Sequence, residues 1–327
     1  MAADKADVLF IGPPRTHLLD QLAKTFTVHQ AANQAEVGDA LAARLAPQLK
    51  YVAVGGHPGS IGGDLMQKLP RLEIVSSFGV GYDNVDTKYA GAHGITVTNT
   101  PDVLNEEVAD TALGLLLSTV RQLPQIDRYL RAGQWVVNGD YALTQSLRDR
   151  TVGMVGLGRI GKAIARRLDA MRVPVVYHTR RAQADVPYRH YPSLLDMARD
   201  ADVLLVITPG GAATRNMINA EVLAALGPNG ILINMSRGSV VDEPALIKAL
   251  QQRTILTAGL DVYANEPHVP AELIAMDHVV LFPHVGSASI HTRRAMEQLV
   301  VDNLAAWNAG KPPLTPVPET PVPARRQ

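Results

Sequence analysis

The 327-residue chain contains no cysteine. That absence excludes disulfide cross-links, thiolate metal sites and a cysteine nucleophile, so any chemistry falls to other side chains. Net charge is lacking as well. The 31 basic and 31 acidic residues cancel, which leaves no broad positive field for binding nucleic acid or an anionic membrane and confines any anion site to a local arrangement. The opening residues MAADKADVLFIG lack the basic start and long apolar core of a signal peptide, and no apolar run approaches the roughly 20 residues of a membrane span. The sequence therefore reads as that of a cytoplasmic protein. Metal ligands are not grouped either: no H-x-x-x-H stands on a predicted helix and His178, Asp185 and His190 are scattered, so no metal is expected.

What is present is apolar material, 46% of residues, enough for a sizeable core in a chain whose length suggests two domains. Short apolar runs alternate with amphipathic ones. The pattern predicts strands at Asp7 to Gly12, Tyr51 to Val54, Leu72 to Ser76 and Ile95 to Thr98, with helices at His17 to Phe26, Val37 to Leu45, Leu65 to Leu69 and Val85 to Ala92 between them. Such alternation favours a parallel sheet with helices on both faces. Two further helices are predicted at Glu106 to Val120 and Gln125 to Ala132, to cover a core or make a subunit contact. The segment 133–150, with Trp135, Val136, Val137 and Tyr141, is too irregular to assign and suits an arm toward a partner.

The rhythm then restarts, with strands at Pro174 to His178, Val203 to Thr208, Ile231 to Asn234, Thr257 to Asp261 and Val279 to Pro283, and helices at Ser193 to Asp200, Ala220 to Leu226 and Glu243 to Gln252. A last helix from Ser287 to Trp307 is expected to cross back to the first domain. Residues 311–327 carry six prolines and no apolar periodicity, which predicts an extended or disordered tail.

The stretch from Thr151, TVGMVGLGRIGKAIARR, reads as strand, tight turn and helix. Gly156, Gly158 and Gly161 form a G-x-G-x-x-G, in which glycines permit the sharp turn, close approach of a diphosphate to the backbone, and close packing of helix on strand. The helix start then offers amides and a positive dipole end to the anion. Three later segments end predicted strands with polar residues, where open parallel sheets bind ligands: NMSRGSVVDE with Arg237, GLDVYANEP with Asp261 and Glu266, and FPHVGSAS with His284. An arginine fork can hold a carboxylate and polarise its neighbouring carbonyl, a histidine can pass the proton, and a carboxylate can orient the imidazole.

In this order VGLGRIG, NMSRGSVVDEPAL, GLDVYANEP and FPHVGSAS resemble the D-isomer-specific 2-hydroxyacid dehydrogenase family, and the similarity runs from about Lys50 to Trp307. SSFGVGYDNVD and NTPDVLNEEVADTALGLLL are similar to that family's substrate loop and interdomain crossing. The resemblance implies an α/β chain of two Rossmann-like, doubly wound parallel-sheet domains separated by a cleft. A flavodoxin-like substrate-binding domain would comprise 1–100 plus 288–327, and an NAD(P)-binding domain 101–287, with a homodimer formed through 103–148. It also implies Arg237, Glu266 and His284 as catalytic residues, Asp261 as the partner of the nicotinamide carboxamide, and the backbone of Val80 and Gly81 as holder of the substrate carboxylate. His57, Arg237 and His284 would also touch substrate. Leu157, Arg159 and Ile160 of the glycine turn, Thr208, Pro209 and Thr214 beyond the next strand, and Met235 and Gly286 complete the implied cofactor residues.

Folds that prefer NAD place an acid at the end of the second strand, about 20 residues past the glycines. Here the strand ends VVYHTRRAQ. His178 stands where the acid would be, and Thr179, Arg180 and Arg181 follow, so nothing repels a 2′-phosphate and two guanidinium groups can bind it. NADPH is therefore expected over NADH. The substrate loop, the HTRR turn and YALTQS most resemble glyoxylate/hydroxypyruvate reductases. They imply reduction of a short 2-oxo acid to a 2-hydroxy acid, glycolate or D-glycerate, with the proton from His284. Formate dehydrogenases pair their histidine with glutamine, and this chain has Glu266. D-lactate or 2-ketogluconate reduction by the same machinery, and a non-enzymatic dinucleotide sensor, remain as alternatives.

Overall fold

The computed structural model describes residues 5–56, 59–320 and 322. Two compact units divide the chain, one running to Leu104 and resuming at Ser289, the other spanning Asn105–Ala288.

The first unit begins β1 (Ala6–Ile11), α1 (Thr16–Thr25), β2 (Phe26–Ala31), α2 (Gln34–Leu45) and β3 (Tyr51–Val54). It continues with α3 (Gly63–Gln67), β4 (Ile74–Ser77), α4 (Thr87–Ala92) and β5 (Thr96–Thr98). Its five parallel strands lie in the order β2-β1-β3-β4-β5, the doubly wound, flavodoxin-like arrangement. Strands β3 and β4 are buried along their length, as parallel strands covered by helices must be. Asn33 caps α2 by accepting the Glu36 amide, while Glu36 reaches back to the amide of Ala32 at 2.9 Å, a reciprocal capping box.

The second unit contains α5 (Asn105–Arg121), α6 (Leu123–Arg131), α7 (Gln134–Asn138), β6 (Val152–Val155), α8 (Arg159–Ala170), β7 (Val175–His178) and β8 (Arg189–His190). Next come α9 (Leu194–Asp200), β9 (Val203–Val206), α10 (Ala220–Leu226), β10 (Ile231–Asn234), α11 (Glu243–Gln251), β11 (Thr257–Leu260), α12 (Ala271–Ile274) and β12 (Val280–Leu281). The parallel order is β12-β11-β10-β9-β6-β7-β8. Strand succession reverses at β6, and the crevice at such a switch point is where open α/β sheets bind ligands. Helix α5 packs on β11 because Gly259 has no side chain: a Cβ there would strike the Thr119 hydroxyl and stand 3.0 Å from Leu115.

The last helix, α13 (Ile290–Asn308), belongs to the first unit, where it packs against α1 and β4. Among the described residues no helix is long and apolar enough to cross a membrane.

Two expectations are corrected and a third is narrowed. Phe26 does not end a helix but begins β2, an edge strand in which only Phe26 and Ala31 are buried; half-exposed at its middle, it lacks the apolar run that marks its neighbours. Part of the segment 133–150 is helical, as α7. Of the extended or disordered tail expected over 311–327, residues 311–320 are extended and ordered. Val317 is 2% exposed within the core, its amide donates to Val97 O at 2.9 Å, and Pro316 bridges Thr98 in antiparallel fashion. Buried Asn303 accepts the amides of Leu314 and Thr315 and donates to Leu299 O and to the Thr315 hydroxyl. Prolines remove donors but leave an extended backbone whose remaining amides find fixed acceptors, so the segment lies ordered along β5.

Candidate active site

The dinucleotide turn lies between β6 and α8. Gly156 has φ +98°, and a Cβ on it would stand 2.8 Å from Ile207 O; a Cβ on Gly161 would stand 2.9 Å from Gly156 O. Both positions are closed to side chains. Gly158 differs: it is exposed, caps α8 at its amino end, and a Cβ would meet nothing within 4 Å. Open space at this glycine is room for a ligand group to approach the backbone, and α8 presents its positive end there. Leu157 is buried and Arg159 exposed. The Leu157 carbonyl accepts a 2.9 Å hydrogen bond from Gln183 Nε2, and the Gln183 amide donates to the Tyr177 hydroxyl at 2.8 Å. Gln183 thus ties the turn to β7, a role that nothing in the glycine spacing reveals.

At the end of β7 the His178 ring is held at 2.8 Å from Tyr191 O, and the Thr179 hydroxyl donates to Arg181 O. Arg180 and Arg181 are exposed, and no carboxylate among the described residues forms an ion pair with either. Past β9, the Thr214 hydroxyl donates to Pro209 O at 2.7 Å, closing the loop that holds Thr208, Pro209 and Thr214. The open glycine and the positive end of α8 fit a dinucleotide.

Arg237 follows β10 in a turn shaped by Asn234, which is 1% exposed. Asn234 donates to Arg237 O and accepts from the Ser236 amide and hydroxyl. The half-buried guanidinium donates to Ser236 O at 2.8 Å. Gly238 packs so closely on the Tyr263–Ala264 peptide that any Cβ would overlap it, which sets the Arg237 turn against the loop after β11.

That loop carries Asp261, 2% exposed. Its two oxygens accept the amides of Val285 (2.7 Å) and Gly286 (2.9 Å). Burial pushes its carboxyl above the ordinary value, while these two bonds and the nearby His284 pull it down. A carboxylate has about four acceptor positions, so capacity remains for a further donor. The same grip fixes the turn that leaves His284 at φ +54°, an uncommon conformation for a residue with a side chain and one that clusters at functional sites. Its Nδ1 stands 2.7 Å from Glu266 Oε2, and Glu266 Oε1 accepts the Tyr263 amide at 3.1 Å. Glu266 is largely covered, its side chain 16% exposed, whereas that of His284 is 41% exposed. One ring nitrogen is anchored and the other is free to face a reactant. A Cβ on Gly286 would crowd Asp261 and Met235, so Met235 shares this cluster.

In the first unit, Val80 and Gly81 lie on the loop after β4. Asn99 donates to Val80 O at 2.8 Å, and Gly79 and Thr100 exchange two hydrogen bonds. No acceptor among the described residues takes the amides of Val80 or Gly81, which suits them to an anion. His57, expected to touch substrate, lies outside the described residues. No group of three or more histidine, aspartate or glutamate side chains among the described residues is placed to hold a metal.

The family model for the NAD-binding domain of D-isomer specific 2-hydroxyacid dehydrogenases matches residues 113–286. This chain belongs to that family. Its second unit is accordingly a domain for a nicotinamide cofactor. Over 264 residues this family member is 48% identical to glyoxylate/hydroxypyruvate reductase A of Arabidopsis thaliana, covering 81% of this chain and 84% of the relative. It is 44% identical over 310 residues to hydroxyphenylpyruvate reductase of Plectranthus scutellarioides, covering 95% and 98%. Among solved structures, the NADPH-dependent glyoxylate/hydroxypyruvate reductase of Sinorhizobium meliloti in complex with NADP and malonate superposes with a TM-score of 0.94 at 50% identity, covering 99% of this chain and all of the other.

Proposed function

We propose that this chain reduces short 2-oxo acids, glyoxylate and hydroxypyruvate foremost, to glycolate and D-glycerate, using NADPH in preference to NADH. The observation that carries the reading is the Glu266–His284 pair, a proton-transferring histidine anchored by a covered carboxylate next to the turn that presents Arg237. Two of the relatives named above are glyoxylate/hydroxypyruvate reductases and the third is a hydroxyphenylpyruvate reductase.

When bound, the nicotinamide supplies a hydride to the carbonyl carbon. The chain's residues do the rest. The Arg237 guanidinium would hold a carboxylate and draw charge toward the neighbouring carbonyl oxygen, and the amides of Val80 and Gly81 are the carboxylate donors expected of the first unit. His284 donates the proton from the ring nitrogen not facing Glu266, and Glu266 keeps the ring aimed. Asp261 fixes the His284 turn and has acceptor capacity left for the carboxamide of the cofactor. One hydride and one proton are added, so a 2-oxo acid becomes a 2-hydroxy acid.

The preference for NADPH rests on His178 in place of an acid and on exposed Arg180 and Arg181. Homodimerisation through 103–148 rests on the apolar side chains presented there: Leu130, Trp135, Val136, Val137 and Leu143 are all more than half exposed, and apolar patches of this kind mark subunit contacts.

An initial-rate panel of glyoxylate, hydroxypyruvate, pyruvate and 2-ketogluconate against NADPH and NADH tests the reading. The highest kcat/KM is expected for hydroxypyruvate or glyoxylate with NADPH. A chain that binds the dinucleotide and reduces none of these acids would be a sensor rather than an enzyme.

A further inference from the structure

The loop between β4 and α4 carries the Val80 and Gly81 amides, and two of the contacts that hold it lead to a single distant segment. Asn99 Nδ2 donates to Val80 O at 2.8 Å, and the Thr100 amide donates to Gly79 O at 2.9 Å. These carbonyls matter because a trans peptide is planar, with its N–H pointing opposite to its C=O. Val80 O shares a peptide plane with the Gly81 amide, and Gly79 O with that of Val80. Asn99 and Thr100 therefore aim both amides away from β5. Asn99 is clasped in turn by Thr315, whose hydroxyl donates to Asn99 O at 2.6 Å and whose carbonyl accepts the Asn99 amide at 3.3 Å.

On the other side of the loop, the Tyr82 hydroxyl donates to the Glu319 carboxylate, 3.0 and 3.2 Å from its two oxygens. Burial first, then the bond to Glu319 and its charge, raise that hydroxyl above its ordinary value, so it stays a donor near neutral pH. Thr315 and Glu319 belong to one segment, and the segment is fastened to the sheet. The buried Thr320 hydroxyl accepts the Val97 amide at 2.8 Å, and the Val317 amide donates to Val97 O. A Cβ on Gly91 of α4 would stand 2.6 Å from Glu319 O, so the backbone of Glu319 is seated closely on that helix. Its exposed side chain thus starts from a fixed point.

We propose that residues 315–320 brace this loop, with Thr315 and Glu319 as positioning residues that set the affinity for the 2-oxo acid. The proposal rests on the reading that the Val80 and Gly81 amides receive the substrate carboxylate. Neither positioning residue needs to touch substrate. Thr315 acts through Asn99 on the peptide plane of Gly81, and Glu319 acts through Tyr82, the next residue along. Amides that converge on an anion bind it better when they are held in place beforehand, because ordering them on binding costs affinity.

The test varies hydroxypyruvate and NADPH in turn for the wild type and for Tyr82→Phe, Thr315→Val, Glu319→Ala and Glu319→Gln. KM for hydroxypyruvate is expected to rise about 3- to 10-fold in the first three, the loss of one hydrogen bond, with kcat and the KM for NADPH unchanged. Glu319→Gln, whose amide oxygen still accepts, should recover most of the loss. Tyr82→Phe combined with Glu319→Ala should be no worse than either alone, since both remove the same bond. An unchanged hydroxypyruvate KM in Glu319→Ala overturns the proposal. So does a rise matched in the KM for NADPH, which would mean a general loosening of the fold. If the wild type reduces no 2-oxo acid, the reductase reading fails by itself, and residue-resolved hydrogen exchange decides the brace. The Gly79 and Val85 amides, bonded to the Thr100 hydroxyl and to Tyr82 O, should then exchange about threefold or more faster in Glu319→Ala; equal rates would overturn it. Should Thr315→Val not fold, the Glu319 variants, altered only at an exposed side chain, answer the same question.

Discussion

Glu266 reaches His284 and Tyr263 at once, one carboxylate oxygen 2.7 Å from the ring Nδ1 and the other on the Tyr263 amide. The ring is thereby anchored to backbone through a single side chain. His284→Ala should lower kcat about 10²- to 10⁴-fold, the usual worth of a general acid. Glu266→Gln should lower it less, because the amide still orients the ring. NADPH affinity, read by fluorescence titration, should stay constant in both. A His284→Ala enzyme with wild-type turnover would reassign the proton donor.

Cofactor choice should follow the exposed guanidinium groups beyond β7. Arg180→Asp places a carboxylate where a 2′-phosphate would lie and removes a cation that binds it. The kcat/KM ratio of NADPH to NADH should fall by at least tenfold and invert. Unchanged NADPH kinetics would show that these arginines only solvate the turn.

The side chain of Val136 is 94% exposed and that of Leu143 fully so. If they meet a second copy, Val136→Asp should shift sedimentation from dimer to monomer while far-ultraviolet circular dichroism stays constant. A monomeric wild type at micromolar concentration would remove the dimer from the account.

Asn303 satisfies both halves of its amide with four hydrogen bonds, three of them to the C-terminal segment. Asn303→Ala strands the amides of Leu314 and Thr315 beside β5 and should cost about 2–4 kcal/mol in urea unfolding, as loss of a buried network does. A cost below about 1 kcal/mol would mean that the segment adds little to the unit's stability.

The His278 Nε2 atom is buried without a hydrogen-bond partner among the described residues. Burial first, and then Arg253, depress its imidazole below the ordinary 6.5, with Asp277 opposing. A depressed histidine binds its proton more readily in the unfolded chain, so stability is full above pH 6.5 and is lost as pH falls through the lower folded value. His278→Gln should flatten this acid loss below about pH 6.5 in thermal melts; a wild-type slope in the variant would refute the assignment.

Much of the site is legible in the amino-acid order because each element must satisfy a strict local demand. Gly156 and Gly161 sit where only hydrogen fits, and Arg237 and Asp261 each follow a buried strand. The supporting residues are less legible. Asn234, Gln183 and Tyr263 act by tying loops distant in sequence, and their types are common in loops of every kind. Residues 26–31 and 311–320 escape the pattern for a related reason: they lie at sheet edges, where order comes from backbone pairing rather than from an apolar run.

The return of α13 sets an order of assembly during synthesis. The unit Asn105–Ala288 is continuous and can fold as soon as it clears the ribosome. The unit begun earlier must leave part of α1 and of β4 uncovered until α13 emerges, since both pack against that helix. The part of the chain made first is thus the last to be finished, and in the interval the apolar surface that α13 covers is open to chaperones and to misassociation.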